Sequence, residues 1–178
     1  RPILVPNTLR RSVASTLAAQ NKSKFLADLG PMQHAVGLTA AVEKYGKSAQ
    51  ALVQALTDCA VWQLDSKSAY NYMYRTAMLN GFNMNCNHLT AFFASFMCQR
   101  GVALFFDDDG SVHEIHTADG GDQGDPLMPV AFAYGIRDAL HRIDMRLRAL
   151  VDSAVRDGIV DRKAAIVRVL SYLDDITL

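Results

Sequence analysis

Cysteine is scarce in this sequence, and so are long apolar runs and any excess of one charge. The three cysteines, Cys59, Cys86 and Cys98, are odd in number and share no short metal-type spacing, which indicates reduced thiols of an intracellular protein. The longest apolar run, residues 127–136, is too short to span a bilayer, so no membrane partner is expected. The 18 basic residues balance 18 acidic ones, and this neutrality neither favours nor excludes nucleic acid because local patches matter more.

The two ends of the chain indicate a fragment. The chain starts at Arg1-Pro2 without Met, and no signal peptide is visible there. It stops three residues after Asp175, whereas a returning strand commonly has about five or six residues. We therefore expect a chain that is truncated at both ends, either one domain or a large piece of a bigger one.

Apolar periodicity and turn residues predict an α+β fold, with a small antiparallel sheet backed by helices. Helices are expected at 9–29, 40–45, 49–58, 68–80, 88–99 and 125–152. Strands are expected at 1–5, at 60–65 as a buried strand, at 102–106, at 112–116 and on both sides of Asp174-Asp175. Gly30-Pro31 and Gly81 are expected to end helices, and Asp125 is expected to cap the last one.

The acidic pair Asp174-Asp175 lies between apolar residues and predicts a strand, a tight turn and a second strand. Two like charges about 5 Å apart repel by about 3 kcal/mol at an effective dielectric near 20. A divalent cation would offset that repulsion, and a solvated turn is the alternative. Asp65 ends another predicted strand, where its alternative role is a helix N-cap. If the strands are neighbours, three carboxylates meet, as two-metal phosphoryl transfer requires.

Two other clusters are weaker candidates for a metal site. Residues 105–110 also read as an aromatic residue followed by acids, but their Asp-Gly end is ordinary hairpin chemistry. His113 and His116 are close in sequence, yet they point to opposite faces of a strand and make a poor ligand pair.

Several segments together resemble the motifs of reverse transcriptases. Residues 64–71 resemble the first catalytic motif, which is Asp, three residues, Ala and an aromatic residue. Residues 123–129 are similar to the second motif, a Gln-Gly-Asp-Pro-Leu run that opens a helix. Residues 172–175 resemble the third motif, which is an aromatic residue, any residue and then Asp-Asp. Residues 1–3 resemble the Arg-Pro-Ile strand of the fingers, and residues 31–43 the Gln/Gly segment that follows it. The ordered set most resembles non-LTR retrotransposon enzymes.

This resemblance implies a right-hand polymerase fold, of which the chain would be a fingers–palm fragment. Residues from 1 to about 58 would form the fingers side, and residues 59–178 the palm with an inserted fingers-like helix and hairpin. The implied activity is RNA-directed DNA polymerase, with an RNA template, a DNA primer and dNTPs as partners. The implied location is intracellular, and nuclear for a non-LTR retrotransposon enzyme.

The resemblance also implies a metal site. Asp65, Asp174 and Asp175 would hold two magnesium ions, with manganese as the alternative ion. The backbone carbonyl of Ser66 would complete the ligand set of one ion. These four residues are the expected metal ligands, and the three aspartates are the expected catalytic residues.

The expected substrate contacts surround this site. The resemblance implies that Arg1 binds the triphosphate and that Gln123 and Gly124 line the site near the nascent base pair. Tyr70 would lie under the incoming sugar and leave no room for a 2′-hydroxyl, and a core aromatic residue on a helix is the alternative role.

The chain departs from the family pattern at Gly121-Asp122 and at Met128, where less acidic residues and Gly or Ser are common. These departures affect substrate handling and touch no expected metal ligand. Two alternatives stay open, an inactive retroelement relict and another palm-fold nucleotidyltransferase.

Overall fold

The secondary structure is mixed, and its elements belong to two compact units. The computed structural model describes residues 7–56, 60–163 and 165–178. Unit 1 contains residues 7–21 and Ser68–Gly135, and unit 2 contains Lys22–Lys67 and Ile136–Leu178. The predicted α+β class is confirmed. The division near residue 58 into polymerase subdomains stays a prediction.

The described ranges contain seven helices and five strands. The helices are α1 (Thr8–Gln20), α2 (Lys22–Leu29), α3 (Ala41–Ala55), α4 (Ala69–Tyr72), α5 (Arg75–Asn85), α6 (Asn87–Met97) and α7 (Met128–Arg156). The strands are β1 (Gln63–Asp65), β2 (Gly101–Phe106), β3 (Val112–Thr117), β4 (Leu170–Tyr172) and β5 (Asp175–Thr177). Within these ranges, no helix has both the length and the hydropathy needed to cross a membrane.

A three-stranded antiparallel sheet organises unit 2, with the strand order β1-β5-β4. Asp65 pairs with Asp175 across β1 and β5, and Tyr172 pairs with Asp175 across β4 and β5. Helix α3 packs beside β4. The predicted hairpin around the acidic pair is therefore confirmed, and it lies next to the strand that carries Asp65.

The prediction of a buried strand at 60–65 is wrong in its burial and too long. Strand β1 has three residues, all exposed, and the neighbouring Trp62 is 65% exposed. The pairing extends past β1 through two backbone bonds between Trp62 and Leu178, 3.1 and 2.9 Å long. The reason is topological, since among the described residues β1 is an edge strand that pairs with β5 alone.

In unit 1, aromatic rings fill the space between α5, α6 and the start of α7. The Phe82 ring lies 4.6 Å from that of Phe93 and 5.3 Å from that of Tyr134, measured between centroids. The predicted hairpin is confirmed in the same unit, because β2 and β3 pair antiparallel from Gly101 and Thr117 to Phe106 and Val112.

The prediction that Gly81 ends a helix is wrong, because α5 continues through it to Asn85. The predicted helix 68–80 is instead divided earlier, between α4 and α5. A Cβ atom at Gly81 would lie 2.6 Å from Cβ of Tyr134, which is closer than packed atoms allow. The glycine therefore permits close packing of α5 against α7.

Two other helix boundaries differ from prediction. The expected helix 9–29 is interrupted at Asn21, whose side-chain amide donates to the Leu17 carbonyl at 2.9 Å and so competes with the helical pattern. The two helices expected at 40–45 and 49–58 are one helix, α3, which contains Gly46. A single glycine inside a helix costs only about 1 kcal/mol, so the pattern continues through it.

The expected helix 125–152 is α7, displaced by a few residues. Asp125 does not take the predicted N-cap position, because α7 begins at Met128. Its Oδ1 atom instead accepts a hydrogen bond from the Leu127 N–H at 2.8 Å, in the turn that precedes the helix. The predicted strand 1–5 lies outside the described residues.

Candidate functional site

The acids at 65, 174 and 175 meet at one end of the sheet in unit 2. Asp65 is the last residue of β1, and Asp175 is the first residue of β5. Residues directly opposite each other in an antiparallel pair point to the same face, with Cβ atoms about 4.5–5.5 Å apart. The carboxylates of Asp65 and Asp175 therefore share one face, and the prediction that their strands are neighbours is confirmed.

Exposure differs among the three acids. Asp65 and Asp175 are exposed, whereas Asp174, in the turn, is only 9% exposed. Asp65 does not take its alternative role as helix N-cap, since the N-cap position of α4 is Ser68. Directly opposed like charges destabilise a strand pair by roughly 0.2–1 kcal/mol relative to neutral residues. The shared face of Asp65 and Asp175 therefore brings two negative charges together, as a cation site requires.

The turn that carries Asp174 has strained backbone. Leu173 has φ of 56°, in the left-handed region that costs a non-glycine residue roughly 1–2 kcal/mol. Leu173 and Asp174 are the two residues between β4 and β5. Residues in such conformations persist only where the surrounding structure holds them, and they concentrate at functional sites.

Gln33 holds this turn, and sequence analysis assigned it no role. Its side-chain Oε1 accepts a hydrogen bond from the Leu173 N–H at 2.9 Å, and the residue is 3% exposed. The segment around Gln33 runs beside β4, where the Ser171 N–H donates to the Met32 carbonyl at 2.7 Å. The only signal in the sequence was the resemblance of residues 31–43 to a Gln/Gly segment, which indicated no contact.

Helix α3 packs on the same sheet through Tyr45. The Tyr45 hydroxyl hydrogen-bonds the Thr177 hydroxyl at 2.5 Å, and the Tyr45 and Tyr172 rings lie 6.1 Å apart. Thr177 and Tyr172 face the same side of the sheet as Asp175, by the two-residue repeat and by pairing. Tyr45 therefore fixes the strands from which the acidic face is built.

The donor set suits magnesium. Carboxylate oxygens are hard ligands, and Mg²⁺ commonly takes only one or two carboxylates from a protein and keeps several waters. The opposed pair Asp65 and Asp175 offers two, and Asp174 is adjacent. Among the described residues, no group of three or more His, Cys, Asp or Glu side chains stands arranged to hold a metal ion. A site here therefore depends first on the opposed pair.

Ser66 directly follows Asp65, the last residue of β1, and it is exposed. Arg1 lies outside the described residues.

The loop that contains Gln123 and Gly124 belongs to unit 1, and its first part is held by backbone bonds. The Gly120 N–H donates to the Met73 carbonyl, and the Gly121 N–H to the Tyr70 carbonyl, both at 2.9 Å. Gln123 and Gly124 themselves are half-buried. A Cβ atom at Gly120 would overlap the Asn71 backbone, which explains the glycine there.

Arg10 holds the second part of this loop, and sequence analysis missed it. Its Nη2 lies 2.7 Å from Oδ2 of Asp125 and its Nη1 lies 3.3 Å from Oδ2 of Asp122. The guanidinium also covers the Phe96 ring, 3.7 Å from the centroid. Arg10 Nη2 and Asp125 Oδ2 are close enough for an ion pair, but neither atom has a partner with hydrogen-bond geometry among the described residues. Arg10, in an Arg-Arg pair near the start of α1, carried no sequence signal for this contact.

Tyr70 is buried in unit 1, and its ring stacks on that of Phe132 with centroids 4.8 Å apart and an interplanar angle of 20°. This packing supports the alternative role as a core aromatic residue. A role in sugar selection needs one edge of the ring to reach substrate, and it stays a prediction.

The acidic turn at 107–110 has the contacts of an ordinary hairpin. The Ser111 N–H donates to Asp109 Oδ1 at 2.8 Å, and the hydrogen bonds from Ser111 lower the pKa of the Asp109 carboxyl. His113 Nε2 lies 2.8 Å from Asp107 Oδ2 at the exposed base of this turn.

No protein-family model matches this chain, and no curated protein matches it either.

Proposed function

We propose that this chain is the catalytic part of an RNA-directed DNA polymerase of a retroelement. The observation that carries the proposal is the pairing of Asp65 with Asp175 beside the strained turn of Asp174. These acids come from segments far apart in sequence, and both segments resemble reverse transcriptase motifs. The reaction joins a primer 3′-oxygen to the α-phosphorus of a dNTP and releases pyrophosphate.

In this proposal, Asp65, Asp174 and Asp175 hold two magnesium ions, with the Ser66 carbonyl as a further ligand. When bound, the ions supply charge stabilisation and lower the pKa of the primer hydroxyl. Gln33 holds the turn at the acidic end of the sheet, and Tyr45 ties the other end of β5 to α3. An ordered acidic face serves this chemistry because reacting groups must be held close to their productive positions.

The substrate contacts in the proposal follow from the motifs. Arg1 binds the triphosphate through its guanidinium, which suits bidentate phosphate contacts. Gln123 and Gly124 line the site near the template and nascent pair. The anchoring of their loop by Arg10 and Asp125 supports this role, because a loop that positions a base pair has to be fixed.

The test is primer extension on an RNA template with Mg²⁺, using the full-length protein and an Asp174→Asn variant. An amide cannot replace an anionic ligand, so incorporation of dNTPs should be lost. Template binding should remain, because affinity comes mostly from phosphate contacts elsewhere. Asp157→Asn, at an exposed aspartate after α7, is the matched control and should keep full activity.

Normal incorporation by Asp174→Asn would exclude the proposed role of the acids. An inactive wild-type protein that still binds template would favour the inactive relict. Efficient extension on DNA but not RNA templates would favour another palm-fold nucleotidyltransferase.

A further inference from the structure

The backbone N–H of Leu173 lies in the turn at the acidic end of the sheet, and its acceptor orients that turn. Leu173 is the first residue of a two-residue turn, and its φ of 56° determines the direction in which the backbone continues into Asp174. A tight turn of this length leaves the N–H of its first residue outside the strand pairing. A buried N–H needs an acceptor, and the position of that acceptor then orients the peptide.

Gln33 supplies this acceptor from a fixed position. Its Oε1 receives the Leu173 N–H at 2.9 Å and also the Ala35 N–H at 3.2 Å. The backbone on either side is tied to β4, since the His34 N–H donates to the Ser171 carbonyl at 2.8 Å. The Gln33 side chain is therefore held both by its own backbone and by the loop that follows it.

The other end of the Gln33 amide shows that packing alone does not explain this residue. Its Nε2 is buried and has no hydrogen-bond partner among the described residues. A buried unpaired donor is unfavourable, and Met or Leu would fill similar space without it. The contact that offsets this cost is the one made by Oε1 to the turn.

We infer that Gln33 is a positioning residue that orients Asp174 and Asp175 for cation binding by fixing the Leu173 peptide. This inference rests on the proposed function, since it assumes that the acids bind a divalent cation. Groups that orient metal ligands from behind commonly change metal affinity by about 10–100-fold when they are removed. Gln33 acts through the turn backbone and need not touch the ion.

The experiment measures Mn²⁺ affinity by paramagnetic resonance for the full-length protein and three variants. Gln33→Met keeps the volume but removes the acceptor, and its Mn²⁺ affinity should fall about 10-fold. Gln33→Glu keeps an acceptor oxygen in either protonation state and should retain most of the affinity.

Ser171→Ala is the matched control. It removes a 3.0 Å hydrogen bond from the Ser171 hydroxyl to the Met32 carbonyl, at the same contact between segments but away from the turn. It should lower the melting temperature and leave Mn²⁺ affinity unchanged. Amide exchange should be faster at Leu173 in Gln33→Met and unchanged there in Ser171→Ala.

Unchanged Mn²⁺ affinity in Gln33→Met, or an equal loss in Ser171→Ala, would overturn the inference. A wild-type protein that binds no Mn²⁺ would overturn it as well. Primer extension by the wild-type protein is measured separately. If the protein binds Mn²⁺ but incorporates no dNTP, the proposed function fails while the role of Gln33 is still decided by the binding data.

Discussion

Asp65 lies directly opposite Asp175 across the antiparallel pair of β1 and β5, so two carboxylates share one face at the end of the sheet. Like charges opposed in this way disfavour the strand pair, and a bound cation would offset their repulsion. The balance between these two effects can be measured as stability.

The first prediction concerns magnesium and the stability of the folded protein. Mg²⁺ should raise the melting temperature of the wild-type protein. At a Mg²⁺ concentration ten times the dissociation constant, the free energy of unfolding should rise by about 1.4 kcal/mol. Asp175→Asn should lose most of this gain because one ligand is gone. Without Mg²⁺ the same variant should be more stable than wild type by up to about 1 kcal/mol, because the opposed charges are removed.

Thermal denaturation with and without Mg²⁺ checks this prediction. Asp108→Asn is the control, because it removes a charge from the exposed turn at 107–110 and should leave the Mg²⁺ effect intact. An equal loss of the Mg²⁺ effect in both variants would show that the ion acts on overall charge.

The second prediction concerns Tyr70 and the choice of sugar. If the ring edge limits the space at the 2′ position, Tyr70→Ala should lower the ratio of kcat/KM for dNTP over rNTP, chiefly through a gain for rNTP. The same truncation should destabilise the protein by about 3–5 kcal/mol, because the ring is buried and stacked on Phe132.

Phe132→Ala is the matched variant, since it removes the stacking partner at a similar cost in stability and should leave the nucleotide ratio unchanged. Steady-state kinetics with both nucleotides and a melting curve separate the effects. An unchanged ratio in Tyr70→Ala would assign Tyr70 to the core alone.

The third prediction concerns the ion pair that holds the loop of Gln123. Arg10→Met should destabilise the protein by about 3 kcal/mol, because it leaves the buried Asp125 carboxylate unpaired. Arg11→Met, at an exposed neighbour in α1, should change stability by less than about 0.5 kcal/mol.

Adding Asp125→Asn to Arg10→Met should recover part of the loss, since the amide is neutral and keeps an acceptor for the Leu127 N–H. Chemical denaturation of the wild type, the single variants Arg10→Met and Asp125→Asn, and the double variant measures this coupling. Additive effects of the two substitutions would mean that the pair contributes nothing beyond its separate contacts.

The fourth prediction concerns His34 and acid stability. Burial lowers the pKa of His34, although a hydrogen bond with the Pro31 backbone opposes the shift. His34 Nε2 is buried without a partner among the described residues. It lies in a cleft of about 660 Å³ that is also lined by Asp144, Arg148 and Arg168, and its ring meets that of Tyr45 edge-on.

Because the folded-state pKa is lowered, the unfolded chain binds more protons than the folded one as the pH falls below about 6.5. The stability from neutral His34 is therefore present above that pH and is lost on acidification. Urea denaturation at several pH values should show a steeper loss between about pH 7 and 5 in the wild type than in His34→Asn. Parallel pH curves would show that His34 does not contribute.

The sequence by itself determined the features that depend on neighbouring residues. The hairpin of β2 and β3 and the turn at Asp174 both follow from turn residues and alternating apolar residues. Helix boundaries were less predictable, because the role of Gly81 depends on a contact with Tyr134 across two helices.

Only the tertiary structure decided which distant residues meet. The register that opposes Asp65 to Asp175, the hydrogen bond from Leu173 to Gln33 and the pairing of Arg10 with Asp125 each join segments far apart in the chain. Such contacts depend on the summed packing of whole elements, and a shift of one residue in strand register would place Asp65 on the other face. The sequence supplies the acids, and packing sets the distances and orientations on which their chemistry depends.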